Sequence, residues 1–119
     1  LQFFVSVMTH YKACRTAKEL AILCGYNDLI FTQLFKKNFH GDTPYQWLQK
    51  QTSYEIEFKL KESTLPIKQI MLDYHFKTFS HFTTYCKRNI GATPNEIRKK
   101  GEESKGTPPL ETYSVSAND

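Results

Sequence analysis

The chain has 119 residues, which is room for one domain or two small subdomains sharing a core. Its hydrophobic content of 39% and aromatic content of 14% argue against intrinsic disorder, and three cysteines without a CxxC pair argue against a disulfide framework or a zinc ribbon. Residues 1–100 carry 15 Lys and Arg against 8 Asp and Glu, or +7, while the last 19 residues carry 1 against 4, or −3; a basic body with an acidic tail fits a polyanion-binding domain.

Leu1 to Met8 is apolar but far shorter than the ~20 residues of a membrane span. No period-2 run of β-branched residues and no Asn-Gly hairpin turn occurs, so every segment before residue 100 is predicted to be helical. Phe3 to Ala13 forms a first helix, with Phe4, Val7, Met8 and Tyr11 on one face at i, i+3, i+4, i+7. Thr16 followed by Glu19 is a capping box that starts a second helix at Ala17. Gly25 ends it, because only glycine enters a left-handed turn without steric cost. Asn27 or Asp28 caps a third helix running to about Phe39, with Ile30, Phe31, Leu34 and Phe35 facing inward.

Gly41 closes that helix and Thr43-Pro44 opens the next, with Thr as N-cap and Pro at the first helical position. This is the longest helix, Tyr45 to about Lys61, and would span roughly 25 Å. Pro66 begins a helix over Ile67 to Tyr74, and another follows from about Ser80 to Asn89. Thr93-Pro94 then repeats the Thr-Pro start, with Glu96 completing a capping box. That last helix is expected to be short, ending near Lys100. Beyond Gly101 the Gly/Ser/Pro and acidic composition reads as a flexible tail.

A signature is therefore written twice: Phe35-Lys36-Lys37 with Gly41-Asp42-Thr43-Pro44, and Cys86-Lys87-Arg88 with Gly91-Ala92-Thr93-Pro94. Each copy follows a short amphipathic segment, which is the layout of a helix-turn-helix whose second helix lies in the major groove. Together with Glu19-Leu20-Ala21, Gly25-Tyr26, Ile67, Ile70, Phe76, Ser80-His81-Phe82 and Arg98, the pattern over residues 12–100 resembles the DNA-binding domain of AraC/XylS family transcription regulators.

The resemblance implies an all-α fold of about seven helices. A first helix-turn-helix subdomain would occupy 1–44, a linker helix 45–61, a second subdomain 62–100 and a flexible tail 101–119. It implies sequence-specific binding of double-stranded DNA, with two recognition helices in successive major grooves. Leu29, Ile30, Thr32 and Gln33 on the first, and Phe79, Ser80, Thr83 and Thr84 on the second, would then face bases. Gln33 suits adenine, and Thr32 and Thr83 suit a thymine methyl or a base edge. Lys36, Lys37, Lys87 and Arg88 would contact phosphate, as would the helix starts capped by Thr43 and Thr93.

The chain departs from the family pattern at several positions. Gln33, Thr84 and Thr52 stand where arginine is common, Met71 replaces a small residue, His75 replaces the turn glycine and Cys86 replaces an aromatic core residue. The alternative reading is a degenerate helix-turn-helix pair acting as a protein–protein interaction module, with RNA polymerase or a partner regulator as the contact. An enzyme is not expected: His10 and Cys14, four apart on a helix, read as a surface histidine beside a core thiol, and the remaining histidines lack metal-ligand spacing. No cofactor is expected, nor any membrane association. A cytoplasmic protein is expected, with a regulatory domain preceding Leu1 in the full chain.

Overall fold

Three helices open on the same device. Glu19 N–H donates to the Thr16 hydroxyl at 3.1 Å while the Glu19 carboxylate accepts from the Thr16 N–H at 3.3 Å. Gln46 and Thr43 exchange the same pair of bonds at 3.1 and 3.0 Å, and Glu96 and Thr93 at 3.2 and 2.9 Å. Each box satisfies N–H groups that the first turn of a helix leaves without a partner. Pro44 and Pro94, directly after two of these caps, are buried.

The computed structural model describes residues 1–106; positions 107–119 of the expected flexible tail lie outside the described residues. The described chain is all-α. Its elements are α1 (Gln2–His10), a 3-10 turn (Tyr11–Ala13), α2 (Ala17–Cys24), α3 (Asp28–Asn38), α4 (Pro44–Glu62), α5 (Ile67–Asp73), α6 (Phe79–Asn89) and α7 (Pro94–Gly106). By contacts the chain divides into two compact units, Leu1–Thr52 and Ser53 onward. The division falls inside α4, which gives Trp47 and Leu48 to the first core and Ile56 and Leu60 to the second.

The first core gathers Phe3 and Val7 from α1, Leu20 and Ala21 from α2, Phe31 and Phe35 from α3, and Phe39. It is built largely of rings. Phe35 and Phe39 stack at 4.1 Å between centroids, and Trp47 stands edge-on to both at 5.6 and 5.2 Å, an arrangement that suits the ring quadrupoles. The second core repeats the plan with fewer rings. Ile56 and Leu60 take the place of Phe3 and Val7, Ile70 and Met71 that of Leu20 and Ala21, and Phe82 and Cys86 that of Phe31 and Phe35. Met71 and Cys86 are both buried, so the chain accommodates the large side chain at the first position and the small one at the second. Burial also pushes the Cys86 thiol up to about 11.

Two expectations are corrected. The buried face of α1 is Phe3 and Val7, while Phe4 and Met8 are exposed. The segment is apolar at five of its first seven helical positions, so period alone leaves the phase open; contacts of the Phe3 ring with Tyr26, Phe31 and Phe35 at 5.5–6.1 Å set it. Second, α7 does not stop near Lys100 but continues to Gly106. Gly101 is buried, and a Cβ there would lie 2.6 Å from both the Cα and the carbonyl oxygen of Lys61. The glycine is thus a point of close helix approach rather than a breaker.

Arg98 completes this end of the second unit. Its guanidinium donates to the carbonyls of Leu60 at 3.0 Å, Ser63 at 3.1 Å and Lys59 at 3.5 Å, and to that of Leu65. Lys59 and Leu60 lie in the last turn of α4, where carbonyls run out of intrahelical donors, and Ser63 and Leu65 lie in the connection that follows. Nearby, the Tyr74 hydroxyl donates to Glu55 at 3.0 Å. Burial, and then the Glu55 carboxylate, hold its pKa well above the ordinary tyrosine range.

Candidate nucleic-acid interface

The two helix pairs α2–α3 and α5–α6 turn by the same hydrogen bonds. In the first, Gly25 N–H donates to Ile22 and Tyr26 N–H to Ala21, both at 3.0 Å; in the second, His75 donates to Leu72 and Phe76 to Met71, again at 3.0 Å. This is the Schellman closure, whose pivot residue must be left-handed. Gly25 has φ +85° and His75 has φ +69°, so the histidine adopts the glycine conformation at a steric cost.

Beyond the pivot the copies differ by one residue. Asn27 caps α3 through its side chain, accepting from Ile30 N–H at 2.9 Å, and Thr78 caps α6, accepting from His81 N–H at 3.1 Å. The caps are 51 residues apart, whereas the pivots and the Thr43 and Thr93 caps are 50 apart. Lys77 is the extra residue in the second turn. The connection leaving α6 is correspondingly one shorter, with Gly91 alone left-handed where the first copy has His40 and Gly41. Counted from the caps, Leu29 corresponds to Ser80, Thr32 to Thr83, Gln33 to Thr84, Lys36 to Lys87 and Lys37 to Arg88.

This register explains which side chains point out. Phe31 and Phe35 on α3, and Phe82 and Cys86 on α6, are buried. On the opposite face Leu29 is 69% exposed, Ile30 44% and Phe79 47%, and Gln33, Ser80 and Thr84 are exposed as well. Ile30, predicted to face inward, thus faces out. Thr32 and Thr83 are half-buried at the edge of that face, and the Thr83 hydroxyl is buried without a hydrogen-bond partner among the described residues. Lys36, Lys37, Lys87 and Arg88 are exposed in the last turns, where the helix dipole favours cations. Among the described residues none of the four forms an ion pair. The Thr43 and Thr93 hydroxyls are engaged in their capping boxes.

A matched pair was passed over in reading the sequence. Lys18 and Lys68 are both exposed, 50 residues apart, at the second position of α2 and of α5. Their shared offset with the pivots is the signal that would have found them. Thr78, the cap of α6, was missed because no Glu or Gln follows it three residues on. Tyr54, Phe58 and Tyr45 on α4 are all more than 60% exposed.

A comparison with known protein families matches residues 30–100, more than half of the chain, to the family described as helix-turn-helix domain. The chain belongs to the helix-turn-helix domain family. No curated protein and no solved structure matches it. The matched span of the helix-turn-helix domain covers nearly all of α3, then α4 to α6 and the first half of α7. A helix-turn-helix domain is typical of regulatory proteins and consistent with DNA binding. Among the described residues, no group of three or more His, Cys, Asp and Glu side chains could hold a metal ion. His10 hydrogen-bonds the Ser6 carbonyl at 2.9 Å, and the Cys14 thiol points to the His10 carbonyl at 3.4 Å. Burial, and then Glu19 and Cys24, push the Cys14 thiol above its ordinary pKa, away from the thiolate a nucleophile needs. No helix among the described residues is long and apolar enough to cross a membrane.

Proposed function

We propose that the chain is the DNA-binding part of a transcription regulator of AraC/XylS type, binding double-stranded DNA sequence-specifically with α3 and α6 as recognition helices in successive major grooves. The observation that carries this reading is the repeated outward array on the two helices. Polar and apolar side chains occupy the first turns, and exposed cations occupy the last. In a helix-turn-helix the first turns of the second helix reach base edges while the first helix crosses the backbone. Leu29, Ile30, Thr32, Gln33, Phe79, Ser80, Thr83 and Thr84 are accordingly assigned to bases. Lys36, Lys37, Lys87, Arg88 and the starts of α4 and α7 at Thr43 and Thr93 are assigned to phosphate, with Lys18 and Lys68 as further anchors. The activity is binding rather than catalysis.

The alternative, a protein–protein interaction module, draws its support from Tyr54 and Phe58, aromatic rings exposed one turn apart on α4. A salt titration of fluorescence anisotropy on a mixed-sequence duplex separates the two. If the four last-turn cations alone engage phosphate, log affinity falls with log salt at a slope of about −3.6, roughly 150-fold between 50 and 200 mM. Lys37→Ala lowers that slope by about 1 for every sequence alike. No binding at low salt would exclude the DNA reading and leave the protein module.

A further inference from the structure

The side chains that reach bases in the DNA reading have a chemistry that selects among base pairs. The first two turns of α3, residues 28–35, contain no Lys or Arg, and neither do the first two turns of α6, residues 79–86. The only charged side chain there, Asp28, sits at the first helical position, where the helix dipole favours it. His81 holds its ring edge-on to Phe76 at 5.3 Å. The commonest specific contact to guanine, a bidentate Arg or Lys on its O6 and N7, is therefore missing from both reading surfaces.

What these surfaces hold instead is apolar. On α3, Leu29 and Ile30 expose 69% and 44% of their surface and Gln33 is exposed as well; on α6, Phe79 exposes 47%. The chain exposes other large apolar side chains as well, Ile22 and Leu72 among them, but these three stand at the starts of the recognition helices. In the major groove a base pair offers an apolar group only at the thymine C5-methyl, and an amide pairs with the N6 and N7 of adenine. The exposed cations in the last turns of the same helices complement the polyanion that would carry those methyls.

We infer that the two recognition helices select A·T-rich sites by seating thymine methyl groups against Leu29, Ile30 and Phe79, with Gln33 reading adenine. The inference rests on the proposed DNA binding and adds a base class to it. Groove shape alone could also favour A·T pairs, since A-tracts have a narrow minor groove. The methyl group separates these sources, because deoxyuridine pairs as thymidine does and lacks only the C5-methyl.

The test compares three duplexes of equal length by anisotropy at fixed salt: A·T-rich, G·C-rich, and the A·T-rich sequence with deoxyuridine in place of thymidine. The A·T-rich duplex should bind most tightly, and uridine substitution should weaken it by about fourfold per contacted methyl, the effect of burying one such group. Leu29→Ala and Phe79→Ala should each reduce the thymidine–uridine difference while leaving the salt slope unchanged; circular dichroism melts establish that both variants fold. Equal, salt-dependent binding of all three duplexes would overturn the inference and leave DNA binding standing. An A·T preference that survives uridine substitution would also overturn it, in favour of groove shape. No binding to any duplex at low salt would instead sink the DNA reading itself.

Discussion

At Gly101 two residue-level effects oppose each other. Replacing a mid-helix glycine by alanine ordinarily stabilises by about 1 kcal/mol, because glycine has more conformational freedom to lose. Here the added Cβ would meet Lys61 backbone atoms at 2.6 Å, and backbone cannot rotate aside as a side-chain tip can. Overpacking of this kind costs about 1–3 kcal/mol, so the clash outweighs the propensity. A mid-range clash of about 2 kcal/mol less the propensity gain of about 1 leaves Gly101→Ala less stable by about 1 kcal/mol in a urea melt; a more stable variant would show that α7 does not pack on α4 so closely. The sequence hid this, since a glycine followed by charged residues reads as an end signal and nothing local marks a helix crossing. His75 is the contrasting case. Its alignment with Gly25 made the left-handed pivot legible, and the structure has it at φ +69°.

Among the elements, starts were read better than buried faces. Thr16 and Thr93 announce helices because a hydroxyl and a residue three positions on together satisfy the first N–H groups, and Thr43 does so through the proline that follows it; both constraints are wholly local. Which residues of α1 and α4 enter a core is decided by partners far along the chain, so Phe4, Met8, Tyr54 and Phe58 could not be placed by period. The extra residue Lys77 was hidden for a related reason: without recognising Thr78 as the cap, α6 is read one residue out of register with α3. Thr93→Ala removes a cap and should cost about 1 kcal/mol, with a neutral result contradicting the box.

The same box predicts a pH response. The Thr93 N–H, then its hydroxyl, and then Lys87 and Lys100 hold the Glu96 carboxyl below its ordinary value. A depressed folded-state pKa contributes stability that is fully present above the unfolded value of about 4.3 and is lost as pH falls through the folded value. An NMR titration of the Glu96 carboxyl should therefore give a midpoint below the ordinary glutamate range, and Thr93→Ala should raise it. A midpoint unaffected by the substitution would mean that the hydroxyl is not part of what depresses it.

The molecule as a whole is one helical plan used twice. Its repeat extends further than the signature that first reveals it. Ile56 and Leu60 echo Phe3 and Val7, so the repeat takes in the helix before each of the pairs α2–α3 and α5–α6 and the Thr-Pro start after it. The two outward faces drift apart in detail, Gln33 against Thr84 and Leu29 against Ser80, while the cations in the last turns are kept. Membership of the helix-turn-helix domain family and the twofold array of exposed cations together support DNA as the partner.

The most direct measurement is an amide chemical-shift titration of the isotope-labelled chain with a short A·T-rich duplex at low salt. Perturbations should concentrate on α3 from Asp28 to Lys37, on α6 from Phe79 to Arg88, and at the starts of α2 and α5. Shifts centred instead on Phe4 and Met8 of α1 or on Tyr54 and Phe58 of α4, or no shifts at all, would contradict the assignment of α3 and α6 as the helices that meet DNA.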